Sequence, residues 1–186
     1  KYLEHFRFFR HKWKLQPLPH TLWKYARLRP AAFPDARLAI FATWWSPSRS
    51  FDLQIGAHWS LEQLLAHMQG DPGAYWQEHY RLGQKTPRRK ANLGATAARS
   101  VLINAFLPVL FLFGRQSGQE ELTEKAWRLL AELPPEDNQI TRKYRALGFP
   151  NLNAGHSQAL LQLHARYCQA KKCLTCSIGM DVLNRS

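Results

Sequence analysis

Acidic residues are scarce in this chain, and their scarcity limits the chemistry that it can perform. Its 186 residues include 13 Asp/Glu against 26 Lys/Arg, a formal net charge of +13. Only six acidic residues precede residue 116, and none of them forms the D…ExK arrangement of a metal-dependent nuclease. HExxH, Walker, GxGxxG and nucleophile-elbow motifs are also missing from the sequence. The sequence therefore favours a non-catalytic chain over an enzyme complete within these residues.

Cysteine and long apolar runs are scarce as well. The three Cys residues all lie between 168 and 176, and this odd set argues against a secreted disulfide framework and for a reducing, cytoplasmic location. The longest near-continuous apolar run, 101–113, is interrupted by Asn104 and Pro108 and is too short to span a bilayer, so we expect no membrane partner. Without a signal peptide or an initiator Met, and beginning inside a predicted helix, the chain is expected to be a fragment or processed piece of a longer protein.

Apolar residues are plentiful and recur every three or four positions, which predicts helices throughout. With 45% hydrophobic and 12% aromatic residues, the chain can bury enough surface to fold. We expect a single all-α domain over 1–186, an irregular bundle of about eight helices around a central apolar helix at about 92–113. Besides that central helix, which we expect to kink at Pro108, helices are predicted in the opening segment and at 23–28, 34–45, 60–70, 71–83, 119–133, 140–147 and 157–167. Ser60–Gln63 and Ser117–Glu120 both have the sequence of a capping box.

The three cysteines form the pattern Cys168-x4-Cys173-x2-Cys176. Thiolates are soft ligands for zinc or iron–sulfur clusters, and His164 lies one helical turn before Cys168, where it would complete a Cys3His zinc site. We therefore consider 164–179 as a Cys-rich metal-binding end, with zinc or an iron–sulfur cluster as the cofactor. Two alternatives remain open from the residues alone: the thiols pack as small hydrophobes, or they are redox active.

Basic residues alternate with aromatic residues in the first two thirds of the chain. Residues 1–115 carry 17 Lys/Arg and 6 Asp/Glu, a net charge of +11, whereas 116–186 carry a net charge of +2. Lys and Arg neutralise phosphates, and aromatic rings stack on exposed bases, so this region is the candidate nucleic-acid interface. The predicted contact residues are Arg7, Arg10, Lys14, Lys24, Arg27, Arg29, Arg37, Arg88, Arg89 and Lys90.

Several strings of the sequence, in order, resemble one bacterial family, the domain of unknown function 2851. They are W-K-x2-R-L-R-P-A-x-F-P-x2-R-L-A from Trp23, Y-W-x2-H-Y from Tyr75, L-I-N-x3-P from Leu102, L-P-x-E-x-N from Leu133, S-Q-A-L-x-Q-L from Ser157 and Y-C-x4-C-L-x-C-x-I-G from Tyr167. The resemblance extends from about Phe6 to Leu183 and includes the closing Cys pattern.

The resemblance implies a partner rather than an activity, because the family has no established activity. Its members are about twice this length, and their N-terminal half weakly resembles the PD-(D/E)xK nuclease core. This chain would then be the C-terminal half, a helical domain whose basic face positions nucleic acid for a catalytic half that lies elsewhere in the same protein.

Other functions stay open at this point. One is a structural or scaffolding domain that docks onto the missing half, and a large exposed apolar patch at Phe6, Phe9 and Trp13 would favour it. A metal-dependent enzyme would need a pocket that gathers distant His, Glu and Cys side chains. Basic charge is equally compatible with an acidic protein partner. The sequence is silent on the choice between RNA and DNA and on the oligomeric state.

Overall fold

The computed structural model describes residues 2–29, 32–45 and 58–185 of the chain, and they are mostly helical. The helices, in chain order, are α1 (Tyr2–Lys12), α2 (Pro34–Trp44), α3 (Leu61–Gln69), α4 (Ala74–Gln77), α5 (Ala95–Val101), α6 (Leu107–Ser117), α7 (Glu120–Glu132), α8 (Gln139–Ala146), α9 (Ala154–Leu163) and α10 (Ser177–Arg185). Within these described ranges the only sheet is an antiparallel hairpin of β1 (His79–Arg81) and β2 (Gln84–Lys85), in which His79 pairs with Lys85 and Arg81 with Gln84. The predicted all-α class is confirmed.

The chain divides into two compact units, and each consists of two separate segments of sequence. Unit 1 comprises the described residues within 1–43 and 71–92, including α1, most of α2, α4 and the hairpin. Unit 2 comprises the described residues within 44–70 and 93–186, including α3 and α5 to α10. All ten predicted nucleic-acid contacts belong to unit 1, and all four predicted metal ligands belong to unit 2.

The core of unit 2 is built from leucines on several helices. The fully buried ones are Leu64 on α3, Leu102 and Leu110 on the central helix, Leu129 on α7, and Leu133 directly after α7. Helix α6 packs along α7, while α9 contacts both α7 and α8. Burying these side chains supplies the main favourable term for folding, at roughly 1.5–3 kcal/mol for each.

The central helix of unit 2 is continuous from Ala95 to Ser117, because α5 and α6 are joined by a π-helical segment, Leu102–Phe106. Pro108 has no N–H to donate and its ring crowds the preceding turn, and the wider π turn directly before it accommodates the ring without ending the helix. The helix is 23 residues long, and an 18-residue window within it has a mean hydropathy of 1.7, so it is long and apolar enough to cross a membrane by length and composition alone. About 39% of its apolar window is buried inside the protein, and it serves as the core helix of unit 2.

Helices α6 and α7 approach each other closely at Gly114, which is buried. A Cβ added there would lie 2.9 Å from the backbone nitrogen of Thr123 and from the carbonyl oxygen of Gln119. Such distances are shorter than van der Waals contact, so only glycine permits this crossing without a backbone shift.

A buried polar network holds the segment after α7 against the start of α9. The Ser157 hydroxyl accepts a hydrogen bond from the Glu136 backbone N–H (2.8 Å) and donates one to Asn151 Oδ1 (2.7 Å). The Thr141 hydroxyl, also fully buried, donates to the Glu136 carbonyl (2.9 Å). Two strings that carry the family resemblance, L-P-x-E-x-N and S-Q-A-L, therefore meet in this network and serve the fold.

The structure confirms one predicted capping box and contradicts the other. Ser60 accepts from the Gln63 N–H (3.2 Å) and Gln63 Oε1 accepts from the Ser60 N–H (2.8 Å), as predicted at the start of α3. The box at Ser117 is wrong, because Ser117 is the last residue of α6 and its hydroxyl donates to the Phe113 carbonyl. Gly118 then adopts a positive φ of 68° as the cap of α6.

Two predicted helices of unit 1 are also wrong. Residues 23–28 contain no α-helix, and Arg27 has a positive φ of 61° that no helix interior permits. The helix predicted over 71–83 is only the single turn α4, after which the chain enters the hairpin. Gly83, with a φ of 73°, makes the tight turn of that hairpin.

Candidate nucleic-acid interface

Positive charge is concentrated in unit 1. Residues 1–43 and 71–92 contain 14 of the 26 Lys/Arg and 4 of the 13 Asp/Glu, a net charge of +10, which leaves +3 for the rest of the chain. The fold therefore collects into one unit the positive charge that the sequence distributes over its first two thirds. A polyanion would be attracted to this unit first.

Helix α1 is the most exposed part of unit 1. Every described side chain from Leu3 to Pro19 is exposed, including the aromatic stripe of Phe6, Phe9 and Trp13. The exposed fractions of these three side chains are 52%, 49% and 63%. At 100° per residue, Arg7 and Arg10 lie on the adjacent stripe of α1, and Lys14 follows two residues after the helix ends. The helix thus presents aromatic rings and cations next to each other, without cover from the residues that the structure describes.

A Schellman motif ends α1 and fixes the position of Lys14. The Leu15 N–H donates to the Arg10 carbonyl (3.0 Å) and the Lys14 N–H donates to the His11 carbonyl (3.4 Å). Lys14 occupies the left-handed position of this motif, with a φ of 49°. A lysine is less favourable there than glycine in backbone terms, but its positive charge suits the negative end of the helix dipole.

Three half-buried aromatic rings of unit 1 form a row with an arginine at each end. The Arg81 guanidinium lies 4.0 Å from the centre of the Tyr25 ring, and that of Arg89 lies 3.8 Å from the centre of the Tyr80 ring. Phe33 contacts both tyrosines edge-on, with centroid distances of 5.2 Å to Tyr25 and 6.4 Å to Tyr80. This arginine–aromatic ladder connects the 23–28 segment, the start of α2, the hairpin and the 86–90 loop.

Two of the ten predicted contact residues are engaged within unit 1 itself. Arg89 donates to the backbone carbonyls of Lys90 (2.9 Å) and His79 (3.3 Å), and Arg88 donates to Gln77 Oε1 (3.1 Å). Their guanidinium groups therefore shape the loop after the hairpin. Whether they also contact phosphate stays a prediction.

The other eight predicted contact residues are exposed, and none of their side chains forms an ion pair or hydrogen bond with any residue in the described ranges. They are Arg7, Arg10, Lys14, Lys24, Arg27, Arg29, Arg37 and Lys90. In contrast, acidic groups of unit 1 do have partners: Asp35 accepts from the Tyr25 hydroxyl (2.6 Å), and Glu78 pairs with Lys85 (3.4 Å). The hydrogen bond to Asp35 is the main cause that raises the pKa of Tyr25 above its usual value.

The four predicted metal ligands lie at the end of unit 2 but do not converge. Cys168 and Cys173 are exposed, Cys176 is buried, and His164 opens the π segment His164–Cys168 that follows α9. Across the residues that the structure describes, no three His, Cys, Asp or Glu side chains come close enough together to hold a metal ion.

The closest partner of this cysteine segment is a buried tyrosine. Tyr144, on α8, shares a 3.0 Å hydrogen bond between its hydroxyl and the Cys168 sulfur, and its ring meets that of His164 edge-on at 6.2 Å. Burial, together with the hydrogen bond to Cys168, raises the pKa of Tyr144 to about 12. The segment is thus attached to the core through a neutral phenol.

The fold and this site define the chain as a helical protein with one strongly basic unit. The model of the family described as "Protein of unknown function (DUF2851)" matches residues 1–139, well over half of the chain, and the chain belongs to that family. The cysteine segment lies outside the matched residues, and the assignment of the chain to the C-terminal half of the family stays a prediction. No curated protein and no solved structure matches the chain.

Proposed function

We propose that this chain is a non-catalytic helical protein that binds nucleic acid through unit 1. The observation that carries the proposal is the set of eight exposed cations without ion-pair partners among the described residues, in a unit with a net charge of +10. Each cation that meets a phosphate releases condensed counterions, which is the main source of affinity for nucleic acid.

The arrangement on α1 favours single strands. Phe6, Phe9 and Trp13 are exposed beside Arg7 and Arg10. Bases of a single strand can stack on such rings, at about 1–3 kcal/mol per base, whereas the bases of a duplex are already stacked on one another. As part of this proposal, unit 1 would hold a cytoplasmic nucleic acid for the nuclease-like half that the family resemblance implies.

The test is fluorescence anisotropy with a labelled dT20 strand at 50 and 200 mM salt. For six neutralised phosphates, the affinity should fall about 300-fold over this range, from a slope of about −0.7 per phosphate contact. Equal binding at the two salt concentrations would contradict the proposal.

Two matched triple variants distinguish binding by a specific surface of unit 1 from attraction by the net charge of the whole chain. Replacing Arg7, Arg10 and Arg37 with Gln should weaken binding by at least about tenfold and make the salt slope shallower by about 2. Replacing Arg99, Arg115 and Arg128 of unit 2 with Gln removes the same charge from side chains that are also exposed. This control should change affinity less than about threefold. Equal losses in the two variants would mean that net charge alone attracts the strand.

A second function, docking onto a protein, is favoured by the same exposed aromatic stripe, because isolated proteins rarely leave such patches uncovered. The double substitution Phe6→Ser and Phe9→Ser distinguishes the two functions. Base stacking predicts a loss of about tenfold or more in affinity for dT20, whereas pure protein docking predicts no change. Polyglutamate, an acidic polymer without bases, should displace the strand poorly if the partner is nucleic acid.

A further inference from the structure

Unit 1 contains an aromatic pocket of about 540 Å³, and none of the ten predicted contact residues lines it. Trp23, Tyr25 and Trp76 supply its aromatic walls, and Leu82 contributes an exposed rim. Asp35 is the one carboxylate among the residues that line it. A volume of this size is typical of sites for small molecules or single nucleotides.

One oxygen of the Asp35 carboxylate is held by a hydrogen bond, and the other oxygen is available to a ligand. Asp35 lies in the first turn of α2, where the helix dipole stabilises its negative charge. Its Oδ2 accepts from the Tyr25 hydroxyl (2.6 Å), and the Arg81 guanidinium covers the Tyr25 ring. Its Oδ1 has no hydrogen-bond partner among the residues that the structure describes. The pocket therefore offers aromatic faces for stacking and one acceptor for N–H groups.

The charge around the pocket narrows the choice of ligand. A carboxylate among aromatic rings suits either a small cation or a base with an N–H edge. The net charge of +10 on unit 1 repels a free cation but attracts a base that carries phosphate. Lys24 lies between two wall residues in the sequence, and Arg37 lies two positions after Asp35; both are exposed cations. Among the bases, guanine presents neighbouring N1–H and N2–H donors to a single carboxylate, whereas thymine presents one imide N–H.

We propose that this pocket receives an unstacked guanine base of a bound single strand, with Asp35 accepting hydrogen bonds from its N–H edge and Trp23 and Trp76 flanking the ring. The inference rests on the proposed function, because the strand itself is held by the cations of unit 1. It adds a sequence preference to an interaction that phosphate contacts alone would leave non-specific.

The experiment compares dT15 with the same strand carrying one central guanine, by anisotropy at 50 mM salt. The wild-type chain should bind the guanine strand about tenfold more tightly, as expected for one well-made base contact. Asp35→Asn should reduce this preference ratio to about 1–2, because the amide is uncharged and keeps only one acceptor oxygen, which Tyr25 uses. The near-isosteric change retains an acceptor for Tyr25, and a far-UV circular dichroism spectrum verifies the fold.

A second variant keeps the test valid if Asp35→Asn fails to fold. Leu82 is 69% exposed at the rim, so Leu82→Glu places a negative charge at the pocket mouth without disturbing a buried side chain. It should also reduce the preference ratio to about 1–2. The matched control is Leu18→Glu, which adds the same charge to unit 1 at a side chain that is 66% exposed and does not line the pocket. This control should retain the guanine preference.

The outcomes separate the pocket from the proposed function. Two outcomes would overturn the proposal of a guanine pocket and leave the proposed function in place. One is salt-dependent binding of both strands without a guanine preference, and the other is a guanine preference that both pocket variants retain. If neither strand binds, ligand-observed NMR with 5′-GMP probes the pocket directly. Binding of GMP that Asp35→Asn abolishes would support the pocket while the proposed function fails, and no binding of GMP would overturn both.

Discussion

Replacing Ser157 with Ala should lower the free energy of unfolding of unit 2 by about 2–4 kcal/mol. The Ser157 hydroxyl is fully buried and makes short hydrogen bonds to two groups, the Glu136 N–H (2.8 Å) and Asn151 Oδ1 (2.7 Å). Alanine removes both partners at once and leaves a donor and an acceptor without hydrogen bonds. Each such group costs about 1–3 kcal/mol when buried, and partial access of water to these half-buried groups favours the lower half of the sum.

Urea unfolding followed by circular dichroism at 222 nm measures this effect. The matched control is Ser117→Ala, which removes an exposed hydroxyl that bonds only to the Phe113 carbonyl of its own helix. The control should change stability by less than about 0.5 kcal/mol. If Ser157→Ala also costs less than 0.5 kcal/mol with an unchanged denaturant slope, the network does not hold the segment after α7 to α9, and the energetic argument is refuted.

Two further predictions concern unit 2. Gly114→Ala should destabilise it by about 1–3 kcal/mol, because the new methyl group would press on the backbone of Gln119 and Thr123; an unchanged thermal midpoint would show that α6 and α7 separate without cost. The raised pKa of Tyr144 means that the folded chain retains a proton that the unfolded chain releases above pH 10. The resulting stabilisation is complete below pH 10 and should be lost as the pH rises towards 12, by about 1 kcal/mol at pH 11 in urea unfolding. Tyr144→Phe should remove this alkaline decline, and an identical decline in wild type and variant would contradict the assignment.

The sequence-based predictions that succeeded concern features whose determining residues lie close together in the sequence. The capping box at Ser60 has both partners within four residues, so its sequence contains all of its geometry. The central helix was predictable because its apolar positions cover nearly its whole circumference. The same local pattern failed at Ser117, where Gly118 ends α6 and places the serine in the preceding helix.

The parts that could not be predicted depend on distant residues. The pocket joins Trp23, Asp35 and Trp76, which no spacing rule relates. Similarly, Arg89 looked like any other member of a basic cluster, and only the fold places it on Tyr80 and two backbone carbonyls. The charge of a region can be counted from its sequence. Whether a given cation is free to bind a ligand or donates hydrogen bonds within the fold depends on tertiary contacts.

The interleaving of the two units along the chain has a consequence for how the protein is made and divided. Unit 1 receives its last segment only when synthesis reaches Asn92, while the start of unit 2, from Trp44 to Gly70, has already been synthesised. During synthesis, Leu64 of α3 therefore lacks its packing partners until the central helix has been synthesised. No single cut of the chain isolates either unit, since the fragment 1–92 contains unit 1 together with α3 of unit 2, and the fragment 44–186 contains unit 2 together with the hairpin of unit 1. Removal of one unit requires excision of two segments and a new connection between the remaining ends.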